Sequence, residues 1–419
     1  MDVGGVQRRT VLLLMATQVV GGIGVAVGLA VGALLVARIA GGPALSGLTQ
    51  SSAVVGSALL AVPVTQLMTR HGRRPGLVVA YASGALGALL IVFAAMGGWL
   101  WLMFVGMFAF GGGMTASLQA RYVATDLAAP VRRGWYLSIV VWATTVGSVA
   151  GPNLAAPADE LLRGWWPRFP ELSGPFVFSG LAFAIAAALI WFLLHPDPLL
   201  LSRSLTASKP SFAEAPRIGV RAAARIVLTI PSARLGIASM AVGHAVMVGI
   251  MSMTPVHIGL AMQVRHGDVL RVVGLVLSAH IAGMYALSPV VGWATDRLGR
   301  VSVMVTGFVL LLTACAVIGT SGQFTPRLTL GLALLGLGWS CTMISGSTLL
   351  SESVPLDRRP AVQGLADLTM GLAGAAGGAL SGAIMAVVGY PALSVITAVL
   401  VVPVLGLALR TRASVTISR

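Results

Sequence analysis

A short charged turn, Gly292-Trp-Ala-Thr-Asp296-Arg297-Leu-Gly299-Arg300, decides the fold of this chain. It holds one acid and two arginines between two long apolar runs, in a sequence where only 9% of residues are charged. A related turn, Thr65-Gln-Leu-Met-Thr69-Arg70-His-Gly72-Arg73-Arg74, lies 227 residues earlier and repeats the Arg-x-Gly-Arg core. The repetition predicts two similar halves, each with its turn on the same side of a membrane.

The apolar runs of the chain are long enough to cross a membrane. Hydrophobic residues make up 57% of the sequence, and an apolar run of about 18 or more residues is typical of a membrane-spanning helix. Twelve such segments are present: 11–37, 44–69, 75–97, 99–121, 134–157, 174–194, 234–257, 269–294, 301–320, 327–350, 361–388 and 390–409. The sequence therefore predicts an all-α membrane protein with twelve transmembrane helices.

The positive charges predict the orientation of the chain. The formal net charge is +15, but the arginines lie in short loops between apolar runs, which argues against a nucleic-acid partner. With both termini in the cytosol, 21 lysines and arginines lie on the cytosolic side and 6 lie outside. Cytosolic loops of membrane proteins carry such an excess. We expect a multi-pass protein of the inner (plasma) membrane with both termini cytosolic.

A polar segment in the middle of the chain, from His195 to Ala233, divides the spans six and six. We predict an N-terminal six-helix bundle at 1–195, a cytosolic central loop at 196–233 and a C-terminal six-helix bundle at 234–419. Two parallel repeats of this kind are a transporter architecture.

An acid and a pair of arginines recur at the same place in both halves, after spans 4 and 10. The acid precedes the first arginine by six residues in each copy, with a proline between them. Opposite charges this close in sequence predict ion pairs within each copy. The predicted pairs are Asp126 with Arg132 and Arg133, and Glu352 with Arg358 and Arg359.

The turn that opens this section resembles the loop 8–9 copy of the signature motif of the major facilitator superfamily, Gly-x-x-x-Asp-Arg-x-Gly-Arg. The turn at Thr65–Arg74 resembles the loop 2–3 copy. The resemblance covers the whole chain and implies two pseudo-symmetric six-helix bundles, a secondary transporter that works by alternating access, and a cytosolic latch. The latch residues it implies are Gly292, Asp296, Arg297, Gly299 and Arg300 in the second half, and Arg70, Gly72, Arg73 and Arg74 in the first.

The two copies of the motif are unequal. In the first copy Thr65 replaces a glycine and Thr69 replaces the acid. We therefore expect an asymmetric latch that is stronger at Asp296, with Gly292 allowing a close helix approach and Gly299 a sharp turn. The alternative for Thr69–Arg74 is an ordinary positively charged loop.

Span 5 contains Gly147-Ser-Val-Ala-Gly151-Pro152-Asn153, which is similar to the antiporter motif of the superfamily. Small residues four apart before a proline predict tight packing and a kink. The similarity favours export over import and points to the twelve-helix drug/proton antiporter branch. Span 4 departs from that branch, because Met107 stands where its members carry an arginine.

Asp367 lies inside span 11, seven residues from its start. An ionisable group within a span is costly and is by default a functional candidate. Two interpretations stay open for this carboxyl group. It either carries the coupled proton or pairs structurally with arginines of the loops.

Histidines and methionines recur in spans 7 and 8. His244, Met247 and Met251 lie on one helical face, and His280 lies in the next span. Three interpretations compete: a proton relay, a site for a soft metal such as Cu(I), and adaptable packing around a broad cavity. We favour packing, with His244 and His280 as further proton candidates and no metal site.

A small set of polar and aromatic residues inside the spans is the candidate lining of a substrate cavity. These residues are Gln18, Gln119, Trp142, Asn153, Met247 and Met251. The alternative for the polar ones is hydrogen bonding between helices.

These observations predict a proton-coupled exporter of small lipophilic or cationic compounds. The alternatives are proton-coupled uptake of a small metabolite and a membrane receptor or assembly factor that keeps the fold without transport. The chain has no Gly-x-x-x-x-Gly-Lys-Ser/Thr phosphate loop, so ATP is not expected as the driving force. We expect no enzyme activity, no cofactor and no nucleic-acid partner. The expected partners are a small-molecule substrate, protons and the lipid bilayer, and the expected state is a monomer.

Overall fold

A computed structural model describes residues 3–124, 126–128, 133–206, 220–261, 266–355 and 358–417. Within these ranges all regular structure is helical. The α-helices are α1 (Val3–Ala40), α2 (Gly47–His71), α3 (Arg73–Gly97), α4 (Leu100–Val123), α5 (Arg133–Ala150), α6 (Ala155–Trp165), α7 (Gly174–Leu193), α8 (Pro198–Thr206), α9 (Val220–Thr229), α10 (Pro231–Ala261), α11 (His266–Tyr285), α12 (Ser288–Leu298), α13 (Arg300–Gly319), α14 (Thr325–Ser353) and α15 (Arg359–Ile417). Short 3₁₀ turns lie at Pro43–Leu45 and Gly151–Leu154.

Ten helical segments of the described chain are long and apolar enough to cross a membrane. Two differences account for the gap between ten and the twelve predicted spans. Helix α15 contains spans 11 and 12, which meet at Gly389, where φ is +80°. Predicted span 5 is divided into α5 and α6 by the turn Gly151–Leu154. The all-α membrane fold predicted from the sequence is confirmed.

The break in span 5 has a local cause. Helix α5 ends at Ala150, and Pro152 is the second residue of the 3₁₀ turn that follows. A proline has no backbone N–H to donate to the preceding turn, so it interrupts the α-helical ladder. The break lies where the motif predicts a kink.

The chain forms two compact units. The first contains Met1–Gly42, Ser52–Phe212 and Val264–Gly274, and the second contains Pro43–Ser51, Ala213–Gln263 and Leu275–Arg419. In the first unit α3 packs on α4 and α7, and α1 packs on α4, α5 and α7. In the second unit α13 packs on α14 and α15, and α10 packs on α14 and α15. The same pattern of neighbours thus occurs in both halves of the sequence.

Aromatic rings fill the core of the first unit. The ring centroid of Phe110 lies 6.2 Å from that of Phe176 and 5.1 Å from that of Phe183, both in edge contact. Glycines make room for these rings, since a Cβ at Gly28 would lie 2.4 Å from Phe110 and one at Gly113 would lie 2.5 Å from Phe183. Close approach of this kind is how helices associate in lipid, where apolar side chains gain little from leaving the bilayer.

Candidate functional site

An arginine at the start of α3 binds the acid that follows α4. Arg73 donates from Nε to Oδ2 of Asp126 at 2.8 Å and from Nη2 to Oδ1 at 3.0 Å. The side chains are only 16% and 10% exposed. A two-point arginine–carboxylate pair fixes orientation as well as distance. We call this pair the first clamp.

An equivalent pair forms in the second unit. Arg300, at the start of α13, donates from Nε to Oε2 of Glu352 at 3.0 Å and from Nη2 to Oε1 at 2.6 Å. These side chains are 27% and 49% exposed, so water screens the pair more than it screens the first clamp. We call it the second clamp.

A glycine places each arginine. Gly72 and Gly299 directly precede α3 and α13, with φ of +97° and +91° and extended ψ. Only glycine adopts this region of the backbone at low cost. The turn therefore lets each helix begin at its arginine, as expected for Gly299.

Each acid has a partner that its local sequence did not indicate. Asp126 binds Arg73 and Glu352 binds Arg300, so each acid is held by the distant motif. Arg132 and the side chains of Arg133 and Arg359 lie outside the described residues, and the side chain of Arg358 is exposed. The glycine–arginine turn and the segment that holds the acid both recur in the two halves. This joint recurrence is the sequence signal for pairing the turn's arginine with the acid.

The remaining residues of the second turn are largely exposed. The carboxylate of Asp296 is 76% exposed, and its Oδ1 lies 3.4 Å from Nη2 of Arg300. The guanidinium of Arg297 lies 5.6 Å from the ring centre of Trp293. Among the residues that the structure describes, no atom lies within 4 Å of a Cβ built at Gly292. The close helix approach expected at Gly292 is therefore not present.

A cluster of methionines and aromatic rings forms in the second unit, where the predicted face of span 7 meets span 8 and span 10. Trp339 is 7% exposed and packs with these methionines, and the ring centroid of Tyr285 lies 6.0 Å from that of Trp339 at 74°. The cluster consists of Met247, Val248, Met251, Met284, Tyr285, Trp339 and Met343. We call it the methionine–aromatic cluster.

His244 forms the polar edge of this cluster. The indole Nε1–H of Trp339 donates to Nδ1 of His244 at 3.1 Å. Because Nδ1 accepts this bond, the proton of a neutral imidazole is on Nε2. A Cβ at Gly374 of α15 would lie 2.8 Å from that Nε2, so the imidazole lies directly on a glycine of the neighbouring helix.

The same helix carries Asp367 seven residues before Gly374. Residues seven apart in an α-helix lie on nearly the same face, about 10 Å apart along the axis. Between them lies Gly371, where a Cβ would meet no described atom within 4 Å. Gly371 and Gly374 thus lie on the same side of α15 as Asp367, and His244 of α10 lies against Gly374.

His280 has a different environment. It is fully buried, and its Nδ1–H donates to the carbonyl oxygen of Leu332 at 2.8 Å. Its Nε2 has no hydrogen-bond partner among the described residues. The structure therefore does not place His280 in contact with the His244–Trp339 pair, although both histidines lie in the second unit.

Gln18 and Asn153, two polar candidates of the first unit, have separate hydrogen-bond partners. Gln18 is 2% exposed, and its Nε2 donates to the carbonyl oxygen of Ser117 at 3.1 Å and to Oγ1 of Thr144 at 2.9 Å. These bonds join α1, α4 and α5, as the interhelical alternative predicts. Trp142 is 64% exposed, and Asn153 donates to the carbonyl oxygen of Val149 at 3.2 Å.

The glycines of the antiporter-like motif hold α5 against α1. A Cβ at Gly147 would lie 2.3 Å from the carbonyl oxygen of Val19, and one at Gly151 would lie 2.6 Å from Cβ of Ala26. No larger side chain fits there without moving a backbone. The predicted tight packing is present, and its partner is the first helix.

The sequence pattern does not single out Trp339 and Met343 as candidate site residues. The signal was a tryptophan in the middle of an apolar run, since membrane tryptophans are enriched near the ends of spans. No group of three or more His, Cys, Asp or Glu side chains able to hold a metal ion is found in the described part of the chain.

Known proteins resemble this chain in sequence and in architecture. The family model of the Major Facilitator Superfamily matches residues 266–418. The uncharacterised MFS-type transporter YdeG of Bacillus subtilis is 37% identical over 394 residues, which cover 94% of this chain and 89% of that protein. This chain belongs to the major facilitator superfamily. It is a multi-pass membrane transporter and not an enzyme.

Two further proteins are similar to this transporter. The riboflavin transporter RfnT of Brucella anthropi is 25% identical over 87% of this chain and 85% of that protein. The solved structure of the nucleoside transporter NupG superposes with a TM-score of 0.76 at 16% identity, covering 96% of this chain and 99% of that one. At this identity the structural likeness shows the fold of the transporter alone.

Proposed function

We propose that this transporter exports small, planar aromatic or lipophilic compounds, including cationic ones, in exchange for protons. The observation that carries the proposal is the hydrogen bond from Trp339 to His244 at the edge of the methionine–aromatic cluster. Methionines adapt to ligands of different shape, and the indole and phenol rings offer stacking surfaces. A polar group among apolar side chains is the usual composition of a small-molecule site.

Proton coupling is assigned to Asp367 with His244. Both are ionisable side chains inside predicted spans, and Gly374, which lies against the His244 imidazole, is on nearly the same face of α15 as Asp367. Ionisable groups in such positions are characteristic of proton pathways. Protonation and deprotonation of the Asp367 carboxylate on opposite sides of the membrane provide the proton exchange that antiport requires.

The direction of transport rests on the α1–α5 packing at Gly147 and Gly151. These residues belong to the motif that resembles the antiporter signature of the superfamily. The orientation, with both termini in the cytosol, rests on the excess of basic residues in the predicted cytosolic loops. Protons entering the cell would then drive the substrate outward.

Uptake of a heteroaromatic metabolite is the second candidate function. The observation that favours it is the sequence similarity to the riboflavin transporter RfnT. An isoalloxazine ring is planar and aromatic, so the same cluster suits it. The two proposals differ in the direction of substrate transport and in whether protons move with the substrate or against it.

Purified protein in vesicles tests both, with an acidic lumen for antiport and an acidic exterior for uptake. For antiport, ethidium should accumulate inside while the lumen becomes more alkaline, and Asp367→Asn should abolish the accumulation but retain ethidium binding. Riboflavin entering together with protons from an acidic exterior supports uptake instead. If none of a panel of aromatic cations and metabolites produces proton flux in either direction, coupled transport is wrong and a receptor role is favoured.

A further inference from the structure

A cavity of about 630 Å³ lies in the first unit beside the end of α2, the start of α3 and the region where α7 leads into α8. The transport proposal does not use it. Its lining includes His71, Arg74, Trp191, His195 and Leu200. Basic, aromatic and aliphatic side chains therefore share one cavity at the end of the predicted spans.

Arg74 carries the positive charge of this cavity. Its guanidinium lies 4.3 Å from the ring centre of Trp191, and Nη1 lies 2.5 Å from Nε2 and 3.0 Å from Nδ1 of His195. A guanidinium only donates hydrogen bonds, so an unprotonated nitrogen of this imidazole accepts. In the described part of the chain no carboxylate oxygen forms a salt bridge with Arg74, in contrast to the arginines of the two clamps.

The acid in the lining, Asp197, is bonded to backbone amides. Its Oδ2 accepts the N–H of Arg74 at 2.8 Å, and its Oδ1 accepts the N–H groups of Leu199 at 3.0 Å and Leu200 at 3.3 Å. This is the arrangement of a helix N-cap, here at the start of α8. Asp197 thus fixes the wall of the cavity with its charge stabilised by three N–H donors.

The shared motif does not require these basic residues. In the second half, the position equivalent to Arg74 is Val301, and the position equivalent to His71 is Leu298. The clamp arginine and its glycine are present in both halves, whereas Arg74 and His71 occur only in the first. Their role therefore lies outside the clamp.

The cavity has an apolar rim on its outer side. Trp191 is 46% exposed, Phe192 is 71% exposed and Leu200 is 44% exposed. Tryptophan at the end of a span is typical of the boundary between hydrocarbon and headgroups. A free inorganic anion would gain nothing from an apolar rim, whereas the acyl chains of a lipid would pack against it.

We infer that this cavity binds the phosphate headgroup of an anionic phospholipid. Arg74 donates hydrogen bonds to the phosphate, with His195 and His71 beside it, and the acyl chains follow Phe192 and Leu200. Basic pockets between helices at the membrane boundary recognise anionic headgroups in this way.

Quenching of tryptophan fluorescence by brominated lipids tests the site. The protein is placed in nanodiscs of phosphatidylcholine with a minor fraction of brominated phosphatidylglycerol or brominated phosphatidylcholine. Trp191→Phe identifies the contribution of Trp191, because the chain has nine tryptophans. We expect brominated phosphatidylglycerol to quench Trp191 at a lower fraction than brominated phosphatidylcholine.

Arg74→Gln should lower the preference for phosphatidylglycerol by about fivefold, the effect expected of one basic residue near an anionic surface. Arg70→Gln is the matched control, because it removes the same charge from the same turn but Arg70 does not line the cavity. It should leave the preference unchanged. Arg74→Lys keeps the charge and should retain most of it, which provides a readout if Arg74→Gln does not fold.

Three outcomes would overturn the assignment. Equal quenching of Trp191 by the two lipids would show that the site does not select anions. Equal losses in Arg74→Gln and Arg70→Gln would show a general surface potential rather than a site. Binding of inorganic phosphate by the protein in detergent, without a preference among lipids in nanodiscs, would make it a site for a soluble anion.

Discussion

Arg73 binds Asp126 through two hydrogen bonds in a setting where both side chains are largely buried. The equivalent bond between Arg300 and Glu352 has the same geometry but is open to water. This difference predicts an asymmetry opposite to the one expected from the sequence motif, which is more complete in the second half. Burial, rather than completeness of the motif, decides how much an ion pair contributes.

Removal of Arg73 should therefore destabilise the protein more than removal of Arg300. Arg73→Ala leaves the Asp126 carboxylate largely buried without its partner and should cost about 3 kcal/mol. Arg300→Ala should cost at most about 1 kcal/mol. Thermal unfolding in detergent measures both. Asp296→Asn serves as the comparison, and a larger loss in Asp296→Asn than in Arg73→Ala would restore the asymmetry predicted from the sequence.

Trp339 should contribute to substrate binding through its ring. Trp339→Ala removes the stacking surface and should weaken binding of an aromatic cation by about tenfold, whereas Trp339→Phe keeps a ring and should weaken it by about threefold or less. Equilibrium binding of ethidium in detergent measures the effect. Trp101→Ala is the control, since that side chain is 79% exposed. Equal affinities of Trp339→Ala and the wild type would remove the cluster from the binding site.

Gly374 should position His244. In Gly374→Ala the added Cβ would lie 2.5 Å from Cδ2 of His244, so the imidazole must move and its bond from Trp339 must lengthen. We expect proton-driven accumulation of substrate to fall several-fold, with a shifted pH profile. Gly371→Ala, on the same face of α15, adds a methyl group where no described atom lies within 4 Å. Similar losses in the two variants would mean that small residues are needed along the whole face and that His244 has no special part.

Gly147 should be essential for the packing of α5 on α1. A Cβ there would lie 2.3 Å from the carbonyl oxygen of Val19, which belongs to a helix backbone and cannot move alone. Gly147→Ala should lower stability by about 1–3 kcal/mol, the usual cost of overpacking. Gly164→Ala, where no atom of the described residues lies within 4 Å, should be close to neutral in the same thermal unfolding experiment. A Gly147→Ala protein as stable as the wild type would show that the helices separate easily.

Much of the architecture was predictable from the sequence. Apolar runs of sufficient length determine transmembrane helices, because every backbone N–H and C=O in hydrocarbon must be paired within the segment. The glycine–arginine turns determine where α3 and α13 begin, because glycine alone adopts their backbone conformation at low cost. Gly147 and Gly151 indicated tight packing through their spacing alone. These features are local, so neighbouring residues suffice to specify them.

Only the tertiary structure decided which side chains meet. Asp126 is far from Arg73 in the sequence, and Trp339 is 95 residues from His244, so spacing along the chain did not reveal either contact. The environment of His280 depends on Leu332, and that of His244 on Gly374, although the two histidines look alike in the sequence. Packing between distant helices sets burial, and burial sets the strength of an ion pair or hydrogen bond. Apolar runs and two repeated turns indicate a twelve-span transporter with two similar halves, whereas packing between distant helices brings its charged and aromatic residues into contact.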